Sequence, residues 1–282
     1  MRNVISARGM ETDRVTRIDS WASMAAILLD LDGVLHVSGQ PIPGAPQAVM
    51  RLRSAGHRLR FVTNNTTRSR AQLASELRTL GIELADDELQ TTATSAAHAL
   101  AGKRVLALVM QAIVPDLEGL DLVGDGAEAV LVGGADETDE TGRVFSYMNL
   151  SRAFSELRAG AELYSLHKNR WWQTSRGPLL DSGAFVAGLE YAAEVEAIVV
   201  GKPSAPYFQA ALDALDADAE RTWMVGDDTE ADMRGAQAFG MKTVLVRTGK
   251  FRPDDFERSG VTPDIVVSSI ADLPEWLERA LG

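Results

Sequence analysis

The chain has 282 residues, 45% of them hydrophobic and 24% charged, which is enough length and apolar content for one or two globular domains. Its formal charge of -12 argues against nucleic acid or an anionic membrane surface as the main partner, because both attract basic faces. The absence of cysteine excludes disulfides, thiolate metal ligands and a cysteine nucleophile, and it fits a reducing cytoplasm.

The first part of the chain predicts two β-α units. Residues 1–20 are polar and mixed in charge, lack the apolar segment of a secretory signal, and are interpreted as an N-terminal extension. The apolar run at 25–29 predicts a buried strand, and residues 44–55 predict the helix that crosses over. A second strand is expected at 59–63, followed by a helix from about 68 to 80. This alternation predicts a doubly wound, Rossmann-like α/β core with a parallel sheet.

The middle of the chain is long enough to form a second domain. Its strand-like runs lie at 104–109, 129–132 and 162–166, and helix-like runs separate them. We therefore predict an inserted α/β cap domain at 90–192, with the core formed by 21–89 and 193–282.

The last part returns to the pattern of the core. Ser204 is expected to cap a helix that continues through Leu215, and another helix ends at Gly240. Further strands are predicted at 197–200, 222–225, 242–246 and 264–267, and a terminal helix is predicted at 271–281.

Polar side chains follow four of these predicted strands. They are Asp30 and Asp32, Thr63 and Asn64, Lys202, and Asp227 with Asp228 and Asp232. Ligands of doubly wound sheets bind outside the carboxyl ends of the strands, where these residues would meet. Carboxylates that lie within a few ångströms of one another without a cation would raise each other's pKa. Mg²⁺ prefers oxygen ligands and would remove this repulsion. The pattern therefore predicts a Mg²⁺ site beside a phosphate that faces the hydroxyl and the ammonium group.

Four motifs in order carry a family resemblance. They are DLDGV at 30–34, VTNN at 62–65, GKPS at 201–204 and VGDDTEAD at 225–232. Together they resemble the haloacid dehalogenase superfamily, and the long insertion resembles the C2-type cap of its subfamily IIA. LHKNRWW from Leu166 and GAFVAGLEYA from Gly183 are most similar to the branch that holds the phospholysine phosphohistidine inorganic pyrophosphate phosphatases. The resemblance covers about residues 25–249.

The resemblance implies a role for each catalytic position. Asp30 would be the nucleophile that forms an aspartyl-phosphate, and Asp32 would be the general acid and then the base. Thr63, the backbone N–H of Asn64 and Lys202 would hold the phosphate.

The metal site follows from the same resemblance. Mg²⁺ would be bound by the Asp30 carboxylate, the Asp32 carbonyl and Asp227, and Asp228 and Asp232 would order these ligands from outside. For Asp228, a simple N-cap of the following helix is an equally open interpretation.

The insertion contains a basic and aromatic cluster, made of His167, Lys168, Arg170, Trp171 and Trp172. Its members could meet an anionic or flat leaving group and set specificity. Alternatively, the tryptophans pack inside the cap or at an interface, and the charges are solvated. A homodimer formed through exposed cap aromatics is a further expectation.

The preferred interpretation is a Mg²⁺-dependent phosphatase that acts on a small phosphorylated molecule, including a phosphoramide or pyrophosphate. A sugar-phosphate, nucleotide or phosphoglycolate phosphatase of the same subfamily is one alternative. The other is a non-catalytic phosphate-binding regulatory protein, which the intact set of catalytic residue types disfavours.

Overall fold

The computed structural model describes residues 24–174 and 177–281, and side chains at 172–174 and 280–281 fall outside its description. The N-terminal extension predicted at residues 1–20 lies outside the described residues. Within them, no helix is both long enough and apolar enough to cross a bilayer.

The described residues contain short strands and helices in alternation. The strands are β1 Ala26–Asp30, β2 His36–Val37, β3 Gln40–Pro41, β4 Arg58–Val62, β5 Leu89–Gln90, β6 Arg104–Leu108, β7 Asp121–Leu122, β8 Ala129–Val132, β9 Glu162–Ser165, β10 Trp171–Thr174, β11 Gly177–Leu180, β12 Ile198–Val199, β13 Thr222–Gly226, β14 Lys242–Val246 and β15 Ile265–Val267. The α-helices are α1 Ala45–Ser54, α2 Arg70–Thr79, α3 Thr92–Ala99, α4 Asp139–Val144, α5 Tyr147–Arg158, α6 Gly183–Ala193, α7 Ala205–Leu215, α8 Gly235–Ala238, α9 Pro253–Ser259 and α10 Leu273–Leu281. Four 3₁₀ segments lie at Asp86–Glu88, Gln111–Leu117, Ala219–Arg221 and Ile270–Asp272. One π-helix lies at Thr229–Arg234.

The core is a six-stranded sheet in the order β15-β14-β13-β1-β4-β5, and all its neighbouring strands are parallel. The chain runs outward from β1 in one direction and from β13 in the other. The boundary between β1 and β13 is therefore the topological switch point, where doubly wound sheets place their ligands. The predicted doubly wound α/β fold is confirmed.

Central strands of this sheet are apolar on both faces because helices cover both. All five residues of β1 are buried. Ile27 and Leu29 pack in a cluster with residues of α1, α2 and α10, while Leu28 packs in another cluster with Tyr207 and Phe208 of α7. The alternation of side chains along a strand explains this division. Because both faces are buried, the sequence of this strand is a continuous apolar run, which made the strand predictable.

A second parallel sheet has the order β12-β9-β8-β6-β7, and all its strands except β12 come from the inserted region. The strands predicted at 104–109, 129–132 and 162–166 all belong to it. The strand predicted at 197–200 was assigned to the core, and that assignment is wrong, because β12 pairs with β9. A strand of two residues carries no sequence signal for its partner. The domain limits at 90–192 stay a prediction.

Several predicted helices differ in form from those observed. The helix expected before Gly240 begins instead as the π-helix Thr229–Arg234 and continues as α8. Ser204 precedes α7 as expected, but its side chain makes no capping hydrogen bond. Pro206 in the first turn has no N–H to be capped, which lowers the need for that bond.

Candidate active site

A buried lysine connects two buried carboxylates at the switch point. Lys202 Nζ lies 2.6 Å from Asp30 Oδ1 and 2.8 Å from Asp232 Oδ1. All three residues are buried. Burial acts against the ammonium, but the facing carboxylates of Asp232 and Asp30 raise the pKa of Lys202 above its ordinary value. The lysine is therefore a fixed positive charge in the floor of the site.

Three acidic groups meet beside this lysine. One carboxylate oxygen from each of Asp30, Asp227 and Asp232 lies within 4.8 Å of the other two. Burial raises the pKa of Asp227 to about 6 and that of Asp232 to about 6, and it also raises the pKa of Asp30. Burial contributes more than mutual repulsion, so desolvation is the main reason that these carboxyl groups resist ionisation when no cation is bound.

Asp227 has one oxygen that is held and one that is free. Its Oδ2 accepts a hydrogen bond of 2.6 Å from the backbone N–H of Lys250. Its Oδ1 is buried and has no hydrogen-bond partner among the described residues. Both oxygens of Asp232, in contrast, are engaged, by Lys202 Nζ and by the N–H of Asp228. An orphaned buried carboxylate oxygen is costly unless a cation occupies it, so Asp227 fits a metal ligand and Asp232 fits a support of Lys202.

Two glycines leave room for the Asp227 carboxylate. Gly33 and Gly249 have φ of 87° and 62°, in the left-handed region. A Cβ at Gly33 would lie 1.9 Å from Asp227 Oδ2, and a Cβ at Gly249 would lie 2.0 Å from the same atom. Both positions therefore require glycine for conformation and for space.

The loop after β13 is shaped by Asp228. Its Oδ1 accepts hydrogen bonds of 3.0 Å from the N–H groups of Glu230 and Ala231 at the start of the π-helix. Burial would raise the pKa of Asp228, but these N–H groups and the Lys250 ammonium hold it below the ordinary value. Asp228 is thus an N-cap, and its carboxylate also lies 3.5 Å from Lys250 Nζ. Of the two interpretations left open, the structure supports the capping role directly.

Asn64 fixes the main chain of Lys202. Its Nδ2 donates to the Lys202 carbonyl and its Oδ1 accepts from the Lys202 N–H, both at 2.8 Å. The sequence suggested only the backbone N–H of Asn64 as a ligand, so this side-chain role was missed. Thr63 is buried beside it, and its hydroxyl accepts from the N–H of Asn65 at 3.1 Å. That hydroxyl keeps its own proton to donate.

Asp32 differs from Asp30 in its surroundings. Its side chain is 56% exposed, and its Oδ1 lies 3.7 Å from His36 Nδ1. Asp30 closes the end of β1, whereas Asp32 lies in the turn that follows. The two carboxylates, one residue apart, therefore differ in solvation, which suits one for attack and the other for proton exchange.

A polar cleft of about 220 Å³ is lined by Asp30, Asp32, Thr63, Asn64, Lys202, Asp228 and Asp232, and Asp227 lies at its margin. Besides the predicted residues, Asn65, Asn169, Ala231 and Lys250 line it. Lys250 follows β14, the next strand of the sheet, so the strand-end rule applied to β14 could have found it. Asn169 comes from the inserted region and carries no distinguishing sequence signal.

Of the predicted cap residues, His167, Lys168 and Arg170 have described side chains, and none of these three lines the cleft. Buried His167 accepts a hydrogen bond from the N–H of Asn169 at Nδ1, and its Nε2 lies 3.3 Å from Thr66 Oγ1. Burial lowers the pKa of His167. Lys168 binds Glu190 of α6 at 2.7 Å.

Arg170 is exposed, and the side chain of Trp172 lies outside the description. A role of these four residues in specificity stays a prediction.

Sequence families match both parts of the core. The family model described as haloacid dehalogenase-like hydrolase matches residues 27–123, and one described as HAD-hydrolase-like matches residues 199–273. All the strands that form the core sheet lie within these two ranges except the first residue of β1.

Individual proteins match over most of the chain. Haloacid dehalogenase-like hydrolase domain-containing protein 2 of Homo sapiens is 38% identical over 88% of this chain and 93% of its own. Phospholysine phosphohistidine inorganic pyrophosphate phosphatase of Homo sapiens is 35% identical over 91% and 95%. Among solved structures, the p-nitrophenyl phosphatase from Archaeoglobus fulgidus has a TM-score of 0.80 at 29% identity and covers 90% of this chain and 99% of that one.

Proposed function

The chain belongs to the haloacid dehalogenase-like hydrolases, and from this premise we propose that it is a Mg²⁺-dependent phosphatase of small phosphorylated molecules. The observation that carries the proposal is the buried ammonium of Lys202 on Asp30, beside an Asp227 oxygen that has no hydrogen-bond partner within residues 24–174 and 177–281. The names of the phosphatases that resemble this chain support the same reaction class.

Asp30 is the nucleophile in this proposal. One of its oxygens forms a bond to phosphorus while the bond from phosphorus to the leaving group breaks, which gives an aspartyl-phosphate. Lys202, fixed 2.6 Å from Asp30 Oδ1, balances the charge that gathers on the transferring group. Because Asn64 holds the Lys202 main chain from both sides, this charge is in place before the substrate binds.

Asp32 handles the protons. Its exposed carboxyl gives a proton to the leaving atom, and it then takes one from the water that attacks the aspartyl-phosphate. That attack releases inorganic phosphate and restores the Asp30 carboxylate. The Thr63 hydroxyl and the N–H of Asn64, which also lie at this cleft, hold phosphate oxygens.

The acidic residues fit a hard dication. The Asp30 carboxylate, the Asp32 carbonyl and Asp227 Oδ1 would hold Mg²⁺, and Asp227 Oδ1 is the orphaned oxygen that needs it. When bound, the ion neutralises carboxylate repulsion and polarises the phosphoryl group.

The test is release of p-nitrophenol from p-nitrophenyl phosphate, with Mg²⁺ and with EDTA, for wild type and Asp30→Asn. We expect EDTA to abolish activity and Asp30→Asn to lower kcat by at least about 10³-fold. Asp254→Asn, at an exposed residue of α9, is the matched control and should act like wild type. A folded Asp30→Asn variant that keeps a tenth of wild-type activity would exclude Asp30 as the nucleophile.

The bond that is cleaved in the cell is a separate part of the proposal. The relative named as a phosphatase of phospholysine, phosphohistidine and pyrophosphate favours P–N or P–O–P bonds over sugar phosphates. A panel of phosphoramidate, pyrophosphate, sugar phosphates, nucleotides and phosphoglycolate separates these classes by kcat/KM.

We further propose a cytoplasmic homodimer that associates through the inserted region. Large apolar side chains are exposed there, with Tyr147 of α5 83% and Tyr191 of α6 89% accessible, and Trp171 and Leu180 exposed on the β10–β11 pair. Light scattering coupled to gel filtration tests this. A monomeric mass for wild type, or no change in mass for Tyr191→Glu, would contradict it.

A further inference from the structure

A second and larger cleft adjoins the polar one. It has a volume of about 460 Å³ and lies between helix α2 and the hairpin of β2 and β3. Asp32 is the residue that lines both clefts. This volume falls within the roughly 300–1,000 Å³ of sites that hold small organic molecules.

The lining of this second cleft is mixed, with four leucines among polar and charged residues. Its lining includes Leu31, Leu73, Leu77 and Leu80. Among its charged residues, Arg68 is paired with Glu76 at 2.6 Å, so their charges largely cancel. The four leucines favour a ligand with an apolar body beside them.

One polar atom at this cleft is without a partner. His36 lines the cleft, and its Nδ1 is buried with no hydrogen-bond partner in the part of the chain that the structure describes. It lies 3.7 Å from Asp32 Oδ1, hence at the place where the two clefts meet.

Charge in the polar cleft limits which leaving groups are favourable. The carboxylates of Asp30, Asp32, Asp227, Asp228 and Asp232 outnumber the ammonium groups of Lys202 and Lys250. With a bound dication and with Asp32 protonated as the proposed acid, these charges about cancel, and the phosphoryl group then makes the occupied site negative. Further negative charge on a leaving group would be repelled, whereas an uncharged or cationic group would not.

We propose that the substrate's leaving group occupies this second cleft and is an alcohol or amine with an apolar body and no further negative charge. This rests on the proposed function, in which Asp32 protonates the leaving atom. Because Asp32 lines both clefts, an atom that takes its proton lies at their junction. The phosphoryl group then lies over Asp30, and the rest of the substrate extends along α2. Of the P–N and P–O–P bonds proposed above, the P–N bond is favoured.

The test fills the second cleft without changing the catalytic residues. Thr79, exposed at the end of α2, lines the cleft, so Thr79→Trp obstructs it. Ser75→Trp is the matched control, since Ser75 is exposed on the same helix and does not line the cleft. The substrates are p-nitrophenyl phosphate, which has an apolar leaving group, and acetyl phosphate, whose leaving group is small.

We expect Thr79→Trp to lower kcat/KM for p-nitrophenyl phosphate about tenfold, mainly through KM, and to leave acetyl phosphate within twofold. Ser75→Trp should leave both unchanged. Equal values for Thr79→Trp and wild type, or equal losses on both substrates, would overturn the proposal. So would a selective loss of the aryl substrate in Asn169→Ala but not in Thr79→Trp, because the leaving group would then face the inserted region. If wild type hydrolyses neither substrate with Mg²⁺, the proposed function itself fails, and this inference with it.

Discussion

The space around Asp227 can be closed by a single methyl group. In Gly249→Ala, the new Cβ would lie 2.0 Å from Asp227 Oδ2 and 2.4 Å from the Cα of Gly33. Real Cβ contacts are essentially never shorter than 3.0 Å, so the carboxylate must move by about 1 Å. That shift breaks the hydrogen bond from the Lys250 N–H and moves Oδ1 away from the proposed metal position.

A displacement of this size has a known scale of effect. Misplacing a catalytic group by about 1 Å can cost about 10²-fold in rate. We therefore expect Gly249→Ala to lower kcat/KM for p-nitrophenyl phosphate about 100-fold and to raise the Mg²⁺ concentration needed for half-maximal activity. The left-handed φ adds a loss of about 1–2 kcal/mol in the free energy of unfolding.

Gly260→Ala separates steric displacement from backbone strain. Gly260 ends helix α9 with φ of 65°, close to the 62° of Gly249, and no described atom lies within 4 Å of its added Cβ. Gly260→Ala should lose only the about 1–2 kcal/mol that comes from the left-handed φ, measured in urea unfolding, and keep wild-type activity. Similar activities in the two variants, both folded, would refute the reasoning, because the contact with Asp227 would then have no functional effect.

Two further predictions concern the charges of the site. Lys202→Met leaves buried Asp30 and Asp232 without their cation, so we expect a loss of about 3–5 kcal/mol in the free energy of unfolding, measured in urea, and loss of phosphatase activity. Partial recovery of stability in Lys202→Met with Asp232→Asn would identify the unpaired carboxylate as the cause, and no recovery would argue against it. The second prediction concerns pH. Burial raises the pKa values of Asp227 and Asp232 to about 6, so without metal the folded chain binds more protons than the unfolded chain between about pH 4 and 6. The free energy of unfolding of the metal-free protein therefore falls as pH rises through that window. Mg²⁺ needs the ionised carboxylates and should restore that stability, so the rise in Tm on adding Mg²⁺ should be larger at pH 7.5 than at pH 5, and equal rises at both would contradict the proposed metal site.

The core was predictable because its signals are local. A fully buried parallel strand such as β1 is a continuous apolar run, and its polar end marks the edge of the sheet. The strand-end rule then placed Asp30, Thr63 and Asp227 together without any knowledge of side-chain geometry. Lys202 was grouped with them through a predicted strand that belongs to the second sheet, so its place was right although the strand's assignment was wrong. The structure brings these four to one cleft or its margin.

What the sequence could not provide depends on pairing between distant residues. The pattern of β12 is compatible with either sheet, and only its hydrogen bonds to β9 decide. Asn64 has the composition of a turn residue, yet its amide holds the main chain of Lys202, 138 residues away. No periodicity or spacing encodes such a pair.

The different roles of the three acidic residues after β13 are the clearest example of an assignment that needs the structure. By type, Asp227, Asp228 and Asp232 are equal, and a motif alone cannot assign them. Their partners assign them: Asp228 caps a helix, Asp232 accepts from Lys202 and from an N–H, and one buried oxygen of Asp227 has no partner in the described part of the chain. Because a buried carboxylate is costly until each oxygen has a partner, the one unfilled position indicates where a cation is needed. Function at this site therefore follows from which hydrogen bonds are already made, rather than from the number of acidic residues.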